Sequence, residues 1–262
     1  MSLATDKASQ LTTAMKNVPL AGFDRSFKMT KKALLGHRFL MGVDTKHIEA
    51  KRLRGICAGM GMPAEYATAF AENLPDANSV HFGFEENENS CVYKVYLEFW
   101  AKLHQHIRNK ETGGSLLHLA FKWDPLNDRK KAITEYVCHP YLCIEAILER
   151  MGDIFNDHAD KPSCEITQKI IKLAAPRITD GAPMYLEVCE ADNPRKSFDI
   201  NLHPANLKLL DIEHLLNQMS HHYEIPTETF QMFYNTIRAS TLGHISAGID
   251  RHNRDFMTTY YE

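Results

Sequence analysis

The stretch Val80-His81-Phe82-Gly83-Phe84, followed across Glu86-Asn87-Glu88-Asn89 by Tyr93-Lys94-Val95-Tyr96-Leu97-Glu98, alternates apolar and polar residues. Successive side chains of a strand point to opposite faces. Each half therefore reads as a strand with one apolar face, and the polar loop joins them as an antiparallel hairpin. Similar pairs follow. Leu117-His118-Leu119-Ala120-Phe121 precedes Ile133-Thr134-Glu135-Tyr136-Val137-Cys138. Met184-Tyr185-Leu186-Glu187-Val188 precedes Phe198-Asp199-Ile200-Asn201-Leu202-His203, and Gly243-His244-Ile245-Ser246-Ala247 precedes Phe256-Met257-Thr258-Thr259-Tyr260-Tyr261.

Helical spacing fills the gaps between these hairpins. Ile48, Leu53, Ile56 and Cys57 recur on one helix face. Pro63 fits the start of a second helix, and residues 100–108 form a third. Pro140 opens a helix carrying Ile144, Ile147, Leu148, Met151 and Ile154, with another over 165–174. After Pro204 come two more, one with Leu207, Leu210, Leu215 and Met219, the other from Pro226. Residues 1–24 read as a polar lead-in. Leu34, Leu35, Phe39, Leu40 and Met41 suggest a helix over 26–41.

The expected architecture is a single α+β domain over 1–262, with a helical lead-in over 1–44 and a hairpin and helix repeat over 45–262. Four hairpins, with helices outside, close into an antiparallel barrel or form a strongly curved sheet. Closure is favoured because it removes both sheet edges, and because the polar face is rich in His and Tyr. An open sheet with its polar face in water is the alternative.

The chain has 262 residues, 44% of them hydrophobic and 24% charged, as in ordinary soluble domains. A net charge of −3 lacks the basic excess of a nucleic-acid binder. No apolar run approaches a membrane span. The first eighteen residues lack the apolar centre of a signal peptide, which places the expected site of action in the cytoplasm. Six cysteines, with no Cys-x-x-Cys pair, read as free thiols.

The polar face collects His81, His118, Tyr185 and His244 at equivalent positions, then Gly83, Ala120, Glu187 and Ser246. Lys122 shares it. The second strands add Lys94, Tyr96 and Glu98, then Thr134 and Tyr136, then Asp199, Asn201 and His203, then Met257, Thr259 and Tyr261. Any one of these could be an ordinary strand residue. Burying so many polar groups together is unfavourable unless water or a ligand satisfies them. Three histidines at one level would suit a metal, but the repeat accounts for them without one, so no metal ligand is assigned. No Gly-x-Gly-x-x-Gly, P-loop or Gly-x-Ser-x-Gly is present.

This alternation of helices and hairpins resembles the ABBA, or PT-barrel, aromatic prenyltransferases. In them, helix–strand–strand–helix units form a closed antiparallel barrel, and Lys-x-Tyr pairs on second strands hold and shield an isoprenoid diphosphate. Lys94-Val95-Tyr96 matches that pair. Thr134-Glu135-Tyr136 and Thr259-Tyr260-Tyr261 match it in part, and Asp199-Ile200-Asn201 departs from it. The family usually has five units, against four hairpins counted here.

The resemblance implies transfer of a prenyl group from an isoprenoid diphosphate to an aromatic or peptide acceptor. Glu98 and Glu187 would be the catalytic carboxylates. His81, Lys94, Tyr96, His118, Lys122, Tyr136, His244 and Tyr261 would line one substrate pocket. Mg2+ would enter only with the diphosphate. The alternatives are a barrel that binds or carries a polar small molecule without catalysis, and an interaction protein whose polar face meets a partner.

Overall fold

Ten strands, two more than expected, form the sheet of the computed structural model. It describes every residue except Met1, Ser2, Glu88, Asn89, Ala159, Asp160, Asp180, Gly181 and Asp192. The strands are β1 (Gly22–Thr30), β2 (Ala33–Asp44), β3 (Ser79–Asn87), β4 (Ser90–Glu98), β5 (Ser115–Asp124), β6 (Asn127–Cys138), β7 (Tyr185–Glu190), β8 (Lys196–Asn201), β9 (Leu242–Ile249) and β10 (Asp255–Tyr261). Their hydrogen-bonded order, β1-β10-β9-β8-β7-β6-β5-β4-β3-β2, closes into a barrel. Closure leaves no sheet edge. The expected turn residues Glu88 and Asn89, and Asp192 of the third turn, lie outside the described residues.

Among the described residues, eight α-helices accompany the strands: α1 (Leu3–Ala14), α2 (Ala50–Gly59), α3 (Ala64–Asn73), α4 (Trp100–Arg108), α5 (Ile144–Asp153), α6 (Pro162–Ala174), α7 (Glu213–His222) and α8 (Thr227–Ile237). None of the described helices is long and apolar enough to cross a membrane. All six cysteines are free thiols, with Cys143 and Cys189 exposed.

The expected helix over 26–41 is corrected to a fifth strand pair. Phe27 and Met29, two apart on β1, are both fully buried, as a strand with one covered face requires. The turn uses Lys31 and Lys32, and Lys32 takes a left-handed backbone with φ 63°. Its amide donates to the Tyr223 carbonyl at 2.6 Å. Glycine or asparagine usually marks such a turn, so two lysines concealed it.

The chain divides into two compact units, residues 1–24 with 37–137 and residues 25–36 with 138–262. In the first, the apolar face of β3, β4 and β5 carries Val80, Phe82, Phe84, Tyr93, Val95, Leu97, Phe121 and Trp123. Leu11 of α1, Leu53 and Ile56 of α2 and Phe70 of α3 belong to the same cluster. The Trp123 indole donates to the Met60 carbonyl at 3.2 Å, tying β5 to the end of α2.

In the second unit, Phe198 and Ile200 of β8, Ile245 and Ala247 of β9 and Met257 of β10 pack with Met151 of α5, Ile170 of α6, Leu216 of α7 and Phe230 of α8. Gly248 allows close strand contact here. Its φ is +151°, and a Cβ on it would lie 2.4 Å from the Lys196 carbonyl oxygen.

Candidate active site

Register builds the polar face of the first unit. His81 lies opposite Tyr96, Gly83 opposite Lys94 and Ser79 opposite Glu98. Across β4, Lys94 faces Lys122, Tyr96 faces Ala120 and Glu98 faces His118. β2 extends the same rows, with Arg38 opposite Glu85 and Gly42 opposite His81. The apolar residues Phe82, Val95 and Leu119 occupy the intervening positions, so the expected separation of faces holds in this unit.

Two chemical groupings share the face. The first is cationic. Arg38 and Lys94 both donate to Glu85, and Lys122 sits directly across from Lys94. Arg38, Lys94 and Lys122 are only 5%, 8% and 7% exposed. Like charges directly opposed on neighbouring strands are unfavourable by themselves, and Glu85 supplies a counter-charge to Arg38 and Lys94. The Lys122 ammonium also lies 5.6 Å from the centre of the Tyr136 ring.

The second grouping is aromatic and acidic. Tyr96 and Tyr136 stand 5.6 Å apart by ring centres, with their hydroxyls at 3.5 Å. His118 meets each ring edge-on, 6.4 Å from Tyr96 and 5.6 Å from Tyr136. Glu98 joins two imidazoles. Its Oε2 is 3.2 Å from His81 Nε2 and also accepts from Ser79, while its Oε1 is 3.6 Å from His118 Nδ1. Burial disfavours the Glu98 charge, but the His81 hydrogen bond, the charges of His118 and His81 and the Ser79 hydroxyl hold its pKa at about 2. Gly42 leaves room for the His81 ring, since a Cβ there would come within 3.0 Å of it.

The second unit has a polar set of its own. His244 Nδ1 is 2.9 Å from Asp199 Oδ1. The His203 ring lies 5.0 Å from that of His244 and the Tyr260 ring 6.0 Å. Lys28 of β1 sits over the Phe256 ring at 4.5 Å, and Arg195 lies 5.4 Å from the same ring.

Five residues expected on the polar face, Tyr185, Glu187, Met257, Thr259 and Tyr261, face the other way. Glu187 pairs with Phe198 across β7 and β8, and its carboxylate takes Arg150 of α5 at 2.5 Å and His139 at 3.2 Å. It therefore points toward the helices, as does Tyr185, which belongs to the apolar cluster. Tyr261 also belongs to that cluster, beside Phe27 at 6.3 Å, and Met257 and Thr259 share its side of β10. The reason is local. Thr258-Thr259 and Tyr260-Tyr261 are like-with-like doublets that fit either phase. Tyr260 takes the place expected for Tyr261.

His81, Lys94, Tyr96, Glu98, His118, Lys122 and Tyr136 thus gather on one face of the first unit, and His244 lies on the polar face of the second. The sequence reading missed Arg38, Glu85, Ser79 and Lys28. Arg38 was detectable from the alternation Gly36, Arg38, Leu40, Gly42 once that segment is read as a strand.

No protein-family model and no curated protein matches the sequence. Solved structures do match the fold. 5-Dimethylallyltryptophan synthase from Streptomyces coelicolor superposes with a TM-score of 0.67 at 10% identity, over 100% of this chain and 92% of that one. The prenyltransferase PriB, in a ternary complex with L-tryptophan and dimethylallyl thiolodiphosphate, gives 0.59 at 12% identity over 100% and 96%. NotF in complex with brevianamide F and DMSPP gives 0.55 at 13% over 92% and 79%. The chain has the PT-barrel fold that the sequence pattern suggested. Its fifth strand pair removes the apparent shortfall against the usual five units.

Proposed function

We propose that the protein transfers a prenyl group from an isoprenoid diphosphate to an aromatic or peptide acceptor. The observation that carries this reading is the buried juxtaposition of Lys94 and Lys122, with Arg38 adjoining through Glu85, next to Tyr96 and Tyr136. The negative charge of a diphosphate complements this buried cationic grouping, and charge-assisted hydrogen bonds give it orientation. The two tyrosine rings beside it offer π faces to an allylic cation and keep water away from it.

The bond changes follow from that placement. The allylic C1–O bond breaks and the diphosphate departs with the electron pair, held by Lys94, Lys122 and Arg38. The acceptor carbon bonds to C1 and its proton passes to the Glu98 cluster. The donor set at the cationic grouping suits phosphate oxygens rather than Mg2+, because the adjacent carboxylate, Glu85, is already engaged by two cations. The reaction is therefore written without a metal step.

The test is incubation with dimethylallyl diphosphate and L-tryptophan or brevianamide F, which the structures of PriB and NotF contain, with product detected by mass. A new product heavier by one dimethylallyl group supports transfer. Binding of the diphosphate without turnover, across a panel of aromatic and peptide acceptors, supports the carrier reading instead.

A further inference from the structure

We infer that Glu85 is the resident counter-anion of the cationic grouping and determines its selectivity. A diphosphate takes over Arg38 and Lys94 from the Glu85 carboxylate, which turns out to water; anions of lower charge do so poorly. This role deepens the prenyl-transfer reading and rests on its diphosphate half. Arg38 and Lys94 both donate to the same oxygen, Glu85 Oε1. A carboxylate oxygen shared by two cations stands where a phosphoryl oxygen would stand.

Register explains how one carboxylate reaches both. Glu85 lies directly opposite Arg38 of β2. Lys94 lies opposite Gly83, two residues from Glu85 and on the same face of β3. Diagonal neighbours of this kind are within reach of a long side chain. A Cβ on Gly83 would lie 3.3 Å from the Lys94 Cβ. The glycine therefore gives the lysine stem room where it leaves β4.

Exposure decides which partner gives way. The Glu85 side chain is 17% exposed, against 4% for Arg38 and 10% for Lys94. Glu85 regains water by turning. The two cations stay buried, and an anionic ligand supplies the counter-charge that Glu85 withdraws. A single carboxylate would only replace Glu85 like for like. A diphosphate has enough oxygens to take Arg38 and Lys94 and to pair with the adjoining Lys122, which faces Lys94 across β4 and β5. Selectivity is that difference in affinity. No covalent bond changes in the exchange: two donors pass from Glu85 Oε1 to phosphoryl oxygens. The displaced carboxylate is repelled by the phosphate and faces water, so cations alone hold the ligand.

The experiment is calorimetric titration of the wild type and Glu85→Gln with inorganic pyrophosphate and with orthophosphate, after circular dichroism has checked folding. Glutamine keeps an acceptor oxygen for Arg38 and Lys94 and removes the competing charge. Glu85→Gln should bind pyrophosphate about tenfold more tightly than the wild type. Its preference for pyrophosphate over orthophosphate should narrow. If Glu85→Gln does not fold alone, pyrophosphate should restore its folding, because the anion replaces the missing counter-charge. Equal or weaker binding of pyrophosphate by folded Glu85→Gln overturns the inference and makes Glu85 a support for the two cations. A variant that pyrophosphate does not refold overturns it as well. Prenyl transfer that fails while Glu85→Gln still gains affinity overturns the reaction and supports the role of Glu85. A wild type that binds neither pyrophosphate nor dimethylallyl thiolodiphosphate overturns both.

Discussion

Glu98 is a residue through which the stability of the first unit responds to acid. Its folded pKa, about 2, lies below the ordinary 4.5. A depressed carboxylate contributes stability that is present above the unfolded value and is lost as pH falls through the folded one. The window therefore runs from about 4.5 down to about 2. Glu98→Gln should unfold at lower temperature than wild type at about pH 5, and that gap should narrow as the pH approaches 2. Thermal melts of both proteins across that range check the point. A gap of constant size would mean that the histidines and Ser79 do not stabilise the charged form.

At the same scale, the residues whose strand face was legible in the sequence were those with strong contrast between neighbours. Lys94-Val95-Tyr96 alternates without ambiguity, and His118-Leu119-Ala120 sets His118 against Leu119. Tyr261 was misassigned because Thr258-Thr259 and Tyr260-Tyr261 carry no alternation. Glu187 was misassigned because Leu186 and Val188 suggested an apolar outer face. Pairing with Phe198 and contact with Arg150 place the carboxylate toward the helices instead. Local pattern cannot show which face a neighbouring strand imposes.

Among the elements, β1 and β2 were the part the sequence concealed. Leu34-Leu35 and Phe39-Leu40-Met41 are runs rather than alternations, and the turn between the strands lacks glycine. The positive φ at Lys32 gives a direct check. A side chain in that conformation costs about 1 kcal/mol relative to glycine. Lys32→Gly should therefore match or slightly raise the melting temperature. Lys32→Val should lower it, by an amount equivalent to about 1 kcal/mol, since β-branching resists the left-handed region. The reverse ranking would place this segment in a different conformation. Gly248→Ala, in the β9 strand, should cost more, about 2 kcal/mol or above, because its new Cβ meets the backbone of β8. Urea unfolding measures both.

For the whole molecule, the hairpin pattern and the observed barrel agree on closure, and the resemblance to PT-barrel enzymes agrees with structural likeness at 10–13% identity. Such low identity carries the fold. The chemistry depends on the residues this chain places on it. The central claim is that buried cations on β2, β4 and β5 hold an isoprenoid diphosphate. Calorimetric titration with dimethylallyl thiolodiphosphate tests it most directly, comparing wild type with Lys94→Ala and Lys122→Ala. The expected result is one site in the wild type, with affinity reduced tenfold or more in each variant, equivalent to about 1.4 kcal/mol or more for a lost charge-assisted hydrogen bond. No binding by the wild type, or equal binding by all three proteins, would contradict it.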